Sequence, residues 1–399
     1  MKGYTATLEN GEAIFYVDRK RWFWSMSVLY PLMPFLGMWL HSATGKQVWL
    51  LFPLVINYIA APIIDWLVGE DQNNPPDAVL PQLENDRYYR YLTYIVVPLH
   101  FVSLIGAAYW AATQELAWWA FAGLAVVAGL TSGLAINTGH ELGHKKSALE
   151  RTLAKIVLAV PAYGHFWIEH NRGHHRDVAT PKDPASARMG ESIYRFALRE
   201  IPGAFRRAWE IEKERLARCN EPLWGVSNQI LQSLALTAVV QVGLVIVFGW
   251  TLIFFFVIHN MFAWWQLTSA NYIEHYGLLR AKEANGRYER CEPRHSWNSN
   301  HIYSNLVLFH LERHSDHHAH PMRRYQSLRH FDDLPTLPNG YFGMYLLAYL
   351  SPLWFRIMDK QLLALPHVDG DLNRLNVDPA KRIALYERYG QSLPDPDIK

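Results

Sequence analysis

The feature that most constrains this chain is a set of long segments without any Asp, Glu, Lys or Arg. Four of them have the length of one helix: 22–45, 47–68 (which carries only Asp65), 91–114 and 116–139. An α-helix needs about 20 mostly apolar residues to cross a bilayer. Segment 222–273 is uncharged and about twice that length, with Gly249 near its centre to turn the chain. The sequence therefore predicts an all-α integral membrane protein with six transmembrane helices.

The basic residues indicate how these helices are oriented. The run DRKR at 18–21 precedes the first segment, whereas the short loops between the paired helices together hold one lysine. By the positive-inside rule, the N-terminus is cytoplasmic. Six crossings then divide the chain into 1–138 with transmembrane helices 1–4, a cytoplasmic segment 139–221, helices 5–6 in 222–273, and a C-terminal cytoplasmic region 274–399.

Two further segments are predicted to stay outside the bilayer. Segment 195–218 mixes acidic and basic residues at helical spacing, which is typical of a solvated helix. Segment 334–355 is uncharged but is broken by Pro335, Pro338 and Pro352, and we expect it at the membrane interface.

Composition excludes several classes of function. The formal net charge is +2 with histidine neutral, which argues against nucleic acid as a partner. Cys219 and Cys291 are the two cysteines, so the chain has no cysteine cluster for an iron–sulfur or rubredoxin-type centre. It also lacks the glycine-rich motifs that bind nucleotides. Any redox centre must therefore use other ligands.

Histidine supplies those ligands, because the 19 histidines include four short clusters on the predicted cytoplasmic side. The clusters are HELGH, EHNRGHH, NYIEHYG and LERHSDHHAH, and their histidines are His140, His144, His170, His174, His175, His275, His314, His317 and His318. Histidine rings packed together repel one another when charged, unless a metal holds them neutral. Nine imidazoles are enough for two metals, so we expect a binuclear site, with His320 outside the ligand set.

The HELGH stretch also matches the H-E-x-x-H signature of zinc proteases, in which Glu141 would be the general base. A catalytic zinc takes three protein ligands, which would leave about six of the clustered histidines unused. A membrane-embedded protease and a metal-storing membrane protein remain alternatives at this point. In the binuclear interpretation Glu141, Glu169, Glu274 and Asp316 are instead carboxylates that orient ligand imidazoles or offset the metal charge.

The clusters closely resemble those of the membrane-bound alkane 1-monooxygenases, also called alkane omega-hydroxylases. The resemblance covers most of the chain and rests on five stretches in the same order: HELGHK (140–145), EHNRGHH (169–175), VATPKDPASAR (178–188), NYIEHYG (271–277) and LERHSDHHA (311–319). The wider group of membrane desaturases and hydroxylases shares the histidine boxes, and NYIEHYG favours the alkane hydroxylases. The resemblance implies that the nine histidines bind two non-haem irons in a cytoplasmic cap on six transmembrane helices.

The resemblance also implies the reaction and the partners. We expect the terminal methyl group of medium-chain n-alkanes, arriving from the bilayer through a tunnel among the helices, to be hydroxylated with O2. Rubredoxin, fed by a rubredoxin reductase, is the expected electron donor, and the bacterial inner membrane is the expected location. Rubredoxins are acidic, so we expect docking near Arg323, Arg324 and Arg329. A fatty-acyl desaturase or hydroxylase of the same group remains the alternative.

Overall fold

The computed structural model describes residues 2–393 and is mostly helical. Six helices are long and apolar enough to cross a membrane, which confirms the predicted architecture. They are α1 (Phe23–Thr44), α2 (Gln47–Val68), α3 (Arg87–Thr113), α4 (Trp118–Gly143), α8 (Gln229–Phe248) and α9 (Leu252–His275). Prolines near the starts of the shorter helical pieces in α1 and α2 remove backbone donors, and both helices there change locally to 3-10 or π geometry.

The other elements are short or lie outside these six helices. Between α4 and α8 lie α5 (Ala148–Val157), α6 (joined from Phe166–Glu169, His170–His174 and His175–Asp177) and α7 (Ile193–Arg218). After α9 come α10 (Ile302–Val307), α11 (His314–Ala319), α12 (Tyr341–Tyr349), α13 (Ser351–Leu363) and α14 (Arg382–Arg388). Short helical turns are at Asp77–Val79, Leu80–Glu84, Pro293–His295, Tyr325–Ser327 and Leu372–Arg374. An antiparallel hairpin, β1 (Gly3–Thr7) and β2 (Ala13–Val17), pairs Gly3 with Val17.

The α4–α9 pair is the centre of the bundle. In the most apolar stretch of α4, 72% of the residues are buried, against 17% in the corresponding stretch of the peripheral α8. Gly129 and Gly133 of α4 face α9 at the backbone of His259 and the side chain of Gln266. Small residues allow helices to approach closely in a membrane, where packing rather than hydrophobic burial drives association. This contact fixes the ends of α4 and α9, and both ends carry histidines.

The region after α9 packs back onto its end. Tyr341, Tyr345 and Trp354 of α12 and α13 are buried in one core cluster with Tyr272 of α9 and with Tyr276, which directly follows that helix. Both helices are much shorter than a membrane span. Segment 334–355 therefore supports the end of α9 and does not cross the membrane.

Segment 195–218 forms most of helix α7, and this helix is not fully solvated, contrary to what its sequence had suggested. One face of α7 is buried, and it includes Phe196, Glu200, Ala204, Ala208 and Glu212. The charges of this segment hid that face, because two of its buried positions are glutamates held by hydrogen bonds to other segments. Helix α7 is thus a structural part of the site described below.

The close contact of α4 and α9 makes a testable prediction. A Cβ atom added at Gly129 would collide with the His259 carbonyl oxygen and with Phe262, whereas nothing lies within 4 Å of the same atom at Gly243 in α8. We expect Gly129→Ala to destabilise the protein by about 1–3 kcal/mol through overpacking. Gly243→Ala is the matched control and should be neutral or slightly stabilising. The thermal midpoint of the detergent-solubilised protein measures both, and equal midpoints would contradict the close approach.

Candidate metal centre

The nine clustered histidines come together in two groups. The five-histidine group consists of His140, His144, His170, His175 and His317, and the four-histidine group consists of His174, His275, His314 and His318. Within each group the ligand nitrogens all lie within 4.8 Å of one another. Segments that are up to about 180 positions apart in the chain thus meet at one place, as the sequence analysis expected for a binuclear site.

Helix ends position the first and third clusters. His140 lies in the last turn of α4 and His144 directly follows that helix, so the spacing of four places both rings on one side. His275 is the last residue of α9. The contact between α4 and α9 therefore fixes one ligand of each group relative to the other.

The second cluster is divided between the groups by a π-helical turn. At His170–His174 the backbone changes from α to π geometry, and the amide of His175 donates to the carbonyl of His170 five residues earlier. In an α-helix His170 and His174 would share a face, but the wider turn aligns His170 with His175 instead. His174 consequently points to the four-histidine group. π-Turns of this kind are frequent at functional sites.

The distances between ring nitrogens fit shared metal ions. In the five-histidine group, Nε2 of His317 lies 2.8 Å from Nε2 of His140, and Nε2 of His170 lies 3.1 Å from Nε2 of both His144 and His175. In the four-histidine group, Nε2 of His314 is 3.2 Å from that of His275 and 2.9 Å from that of His318. Two adjacent nitrogens that bind one metal at about 2.0–2.1 Å are about 3 Å apart. The Nε2 atoms are thus placed like two coordination shells.

The protonation of these rings also suits metal binding. Burial lowers the pKa of His144, His170 and His317 well below its ordinary value, and the neighbouring rings lower it further. The same causes act on His314 and His318. The rings are therefore neutral, and a neutral imidazole is the form that binds a metal.

The four carboxylates expected from the sequence have different positions. Glu274 comes near a ligand, with its Oε2 3.4 Å from Nε2 of His314. Glu141 instead forms an ion pair with Lys145 at 3.0 Å, Glu169 forms one with Arg207, and Asp316 forms one with Arg323 at 2.5 Å. These three stabilise the segments that carry the ligands. Because Lys145 holds Glu141, the structure gives no support to Glu141 as the base of a zinc protease.

A different acid, Asp183, holds the ring of His174, and no motif in the sequence singled it out. Asp183 accepts a hydrogen bond from Nδ1 of His174 at 2.9 Å, and both groups are buried. Burial by itself would lower the pKa of His174, but the Asp183 carboxylate raises it above its ordinary value. Such a contact fixes the ring orientation and leaves Nε2 for the metal. The one signal in the sequence was the position of Asp183 inside the stretch 178–188.

Arg207 connects this pair to α7. Its Nη2 donates to Oδ1 of Asp183 at 2.7 Å and also to Glu169, which directly precedes His170. A single guanidinium on α7 therefore pairs with two buried carboxylates at the second cluster. This contact explains why α7 has a buried face.

The three arginines that the sequence suggested as a docking surface are paired with carboxylates. Arg323 pairs with Asp316, Arg324 with Glu150 at 2.8 Å, and Arg329 with Asp77. Their side chains are 17%, 14% and 24% exposed. Because each positive charge is neutralised by a carboxylate and is largely buried, these residues do not form a free cationic surface.

An apolar cavity ends at the metal centre. Its inner end is formed by His140 and His170 of the five-histidine group and His314 of the four-histidine group. From His140 it follows α4 to Leu130, ten residues and about 15 Å further into the membrane-length part of the helix. Its other walls come from α1, α9 and α12, at Tyr30, Leu267, Ala270, Phe342 and Tyr345. A long apolar molecule with one end at the histidines would fit this shape.

The two groups predict how metal is lost. Replacing two ligands of one group, as in His140→Ala with His317→Ala, should lower the metal content of the purified protein from about two ions per chain to about one. His314→Ala with His318→Ala should remove the other ion. His320→Ala is the control, since its ring is 53% exposed and bonds Asp316. Elemental analysis of the folded, detergent-purified protein measures the number of metal ions per chain. Loss of both ions from one double variant would contradict two separate groups.

Comparison with known proteins agrees with this centre. Residues 116–351 match the model of the fatty acid desaturase family. The chain is 55% identical over 376 residues to alkane 1-monooxygenase 1 of Alcanivorax borkumensis, which covers 94% of this chain and 92% of the relative. It is 54% identical to alkane 1-monooxygenase of Ectopseudomonas oleovorans, over 94% of both chains, and 52% identical to that of Pseudomonas putida, over 98% and 97%. Because the similarity extends along nearly the whole chain, this integral membrane protein is an oxidoreductase that belongs to the alkane 1-monooxygenase family.

Proposed function

We propose that this protein hydroxylates the terminal methyl group of medium-chain n-alkanes to primary alcohols. The observation that carries the proposal is the apolar cavity that ends at histidines of both groups. A chain inserted along α4 would present its terminal carbon to that end, and its other carbons would contact apolar walls. The names of the most similar relatives agree with this substrate class.

The donor set fits two non-haem irons. Imidazole is a ligand for iron, copper, zinc and nickel, and a methyl group without a leaving group requires redox chemistry. Iron bound here would supply the activation of O2 that no side chain can provide. The overall reaction consumes one alkane, one O2, two electrons and two protons, and it yields one alcohol and one water.

The residues of the chain have three tasks in this reaction. Asp183 and Arg207 keep the His174 ring in place. The apolar side chains along α4 bind the hydrocarbon and exclude water from it. Glu274 lines the cavity and lies beside His314, so its carboxyl group is placed to offset metal charge that imidazole ligands leave uncompensated.

The location of the cavity supports entry of the substrate from the bilayer. Alkanes partition into the hydrocarbon core, and the cavity lies between helices of membrane length. The basic run before α1 favours a cytoplasmic N-terminus, which would put the metal centre on the cytoplasmic side of a bacterial inner membrane.

The two electrons must come from another protein. The two cysteines, Cys219 and Cys291, are in different segments and are not paired. We propose rubredoxin as the donor, reduced in turn by a rubredoxin reductase. A small acidic carrier of this type is consistent with a site that is close to the protein surface.

Product analysis tests the substrate and the reaction. Purified protein in vesicles, supplied with iron, a reductant and O2, should convert octane to 1-octanol. The variant with His140→Ala and His317→Ala should make no product while remaining folded. A fatty-acyl substrate is offered in parallel. Formation of a double bond or an acyl-linked alcohol, without 1-octanol from octane, would identify a desaturase or acyl hydroxylase instead.

A further inference from the structure

Two of the nine clustered histidines reach the protein surface. His144 and His175 are half-buried, whereas the other seven are buried. Both belong to the five-histidine group, and their rings are 4.5 Å apart between centroids. These two rings are therefore the part of the centre that is most accessible to solvent.

The exposed residues next to these two rings are basic. Lys146 follows His144 by two positions, and Arg172 and Arg176 flank His175. Arg176 is 64% exposed at its side chain and pairs with Asp177. Within residues 2–393, neither Lys146 nor Arg172 has a carboxylate partner within 4 Å. Their charges are therefore free, in contrast to those of the three arginines discussed above.

A basic cleft continues this surface. The buried Arg280 donates from Nη1 to the carbonyl oxygens of Arg176 and Val178, at 2.9 and 3.2 Å. It forms the floor of a cleft of about 490 Å³, whose walls include Lys282, Arg294 and Arg374. Glu289 is the acid in the lining, and His295 and Arg294 contact it. Arg294 also pairs with Glu292 at 3.0 Å, so its charge is balanced and Lys282 is the exposed lysine of the cleft. Arg280 thus links the cleft to the carbonyl of the residue that follows His175.

We propose that these residues form the docking surface for an acidic protein that carries one electron, an inference that rests on the proposed function. We call it the cationic face, and it consists of the exposed residues Lys146, Arg172, Arg176 and Lys282. Two successive carriers, each oxidised by one electron, supply the two electrons of one turnover. The half-buried rings of His144 and His175 are the contact point between the carrier and the centre.

Charge complementarity explains the choice of occupant. Opposite charges across an interface speed the encounter and orient the partners, and the effect decreases with salt. Complexes of redox proteins have small interfaces, because the carrier must leave after each electron. A cationic rim around two partly exposed ligand rings meets both requirements.

The first test measures carrier binding directly. Lys146→Glu combined with Arg172→Glu should weaken the affinity for an acidic rubredoxin about tenfold or more at low salt and reduce its salt dependence. Lys282→Glu should act in the same direction. Lys46→Glu is the matched control, because Lys46 is exposed between α1 and α2 at the other end of these helices. Unchanged affinity in the reversed variants would overturn the proposal.

A second measurement separates docking from the chemistry. Octane turnover driven by dithionite and a small phenazine mediator does not need the face, so it should be equal in the wild type and in the reversed variants. Absence of mediator-driven turnover in the wild type would refute the proposed function and leave the binding result standing. Carriers with acidic residues changed to lysine should bind the reversed variants better than the wild type.

A membrane role for the cationic face is the competing outcome. Vesicles of anionic lipid are offered to the same variants in place of the carrier. If the reversals weaken vesicle binding and leave the carrier affinity unchanged, the face binds lipid headgroups, and the docking proposal is wrong.

Discussion

The structure depends on the convergence of nine imidazoles at the ends of two packed helices. A buried polar nitrogen without a partner costs about 1–3 kcal/mol, and a charged one costs much more. Seven of these rings are buried, and close neighbours lower the pKa of rings such as His170 and His317. Metal binding relieves both problems, because it takes up the Nε2 lone pairs and keeps the rings neutral. The centre and the fold around it therefore stabilise each other.

The rest of the structure holds the rings in position. The contact of Gly129 with the backbone of His259 brings α4 and α9 together, and so sets His140 relative to His275. The π-turn of α6 sends His174 to one group and its neighbours to the other. Arg207 then fixes this turn from α7 through Asp183 and Glu169. Each support comes from a different segment, so the centre forms only when the whole chain has folded.

The site has two sides with opposite character. Towards the membrane-length part of the helices, the histidines close an apolar cavity that runs along α4. Towards the surface, His144 and His175 are half-buried, and exposed basic residues lie close to them in the sequence. A hydrocarbon and a charged carrier would then reach the centre from different directions. Such a separation would allow the substrate to arrive from lipid and the electrons from the aqueous side.

The sequence by itself determined the class of fold and singled out the nine histidines that the structure brings together. Six membrane helices follow from local apolar composition, and nine histidines stand out because clusters of them are rare without a metal. Only the tertiary structure decided which rings share a group, since the π-turn overrides the α-helical spacing of His170 and His174. It also decided that Asp183 holds His174, and that Glu150 and Asp77 neutralise Arg324 and Arg329. These contacts join residues without a local pattern, and hydropathy and spacing describe only neighbours along the chain.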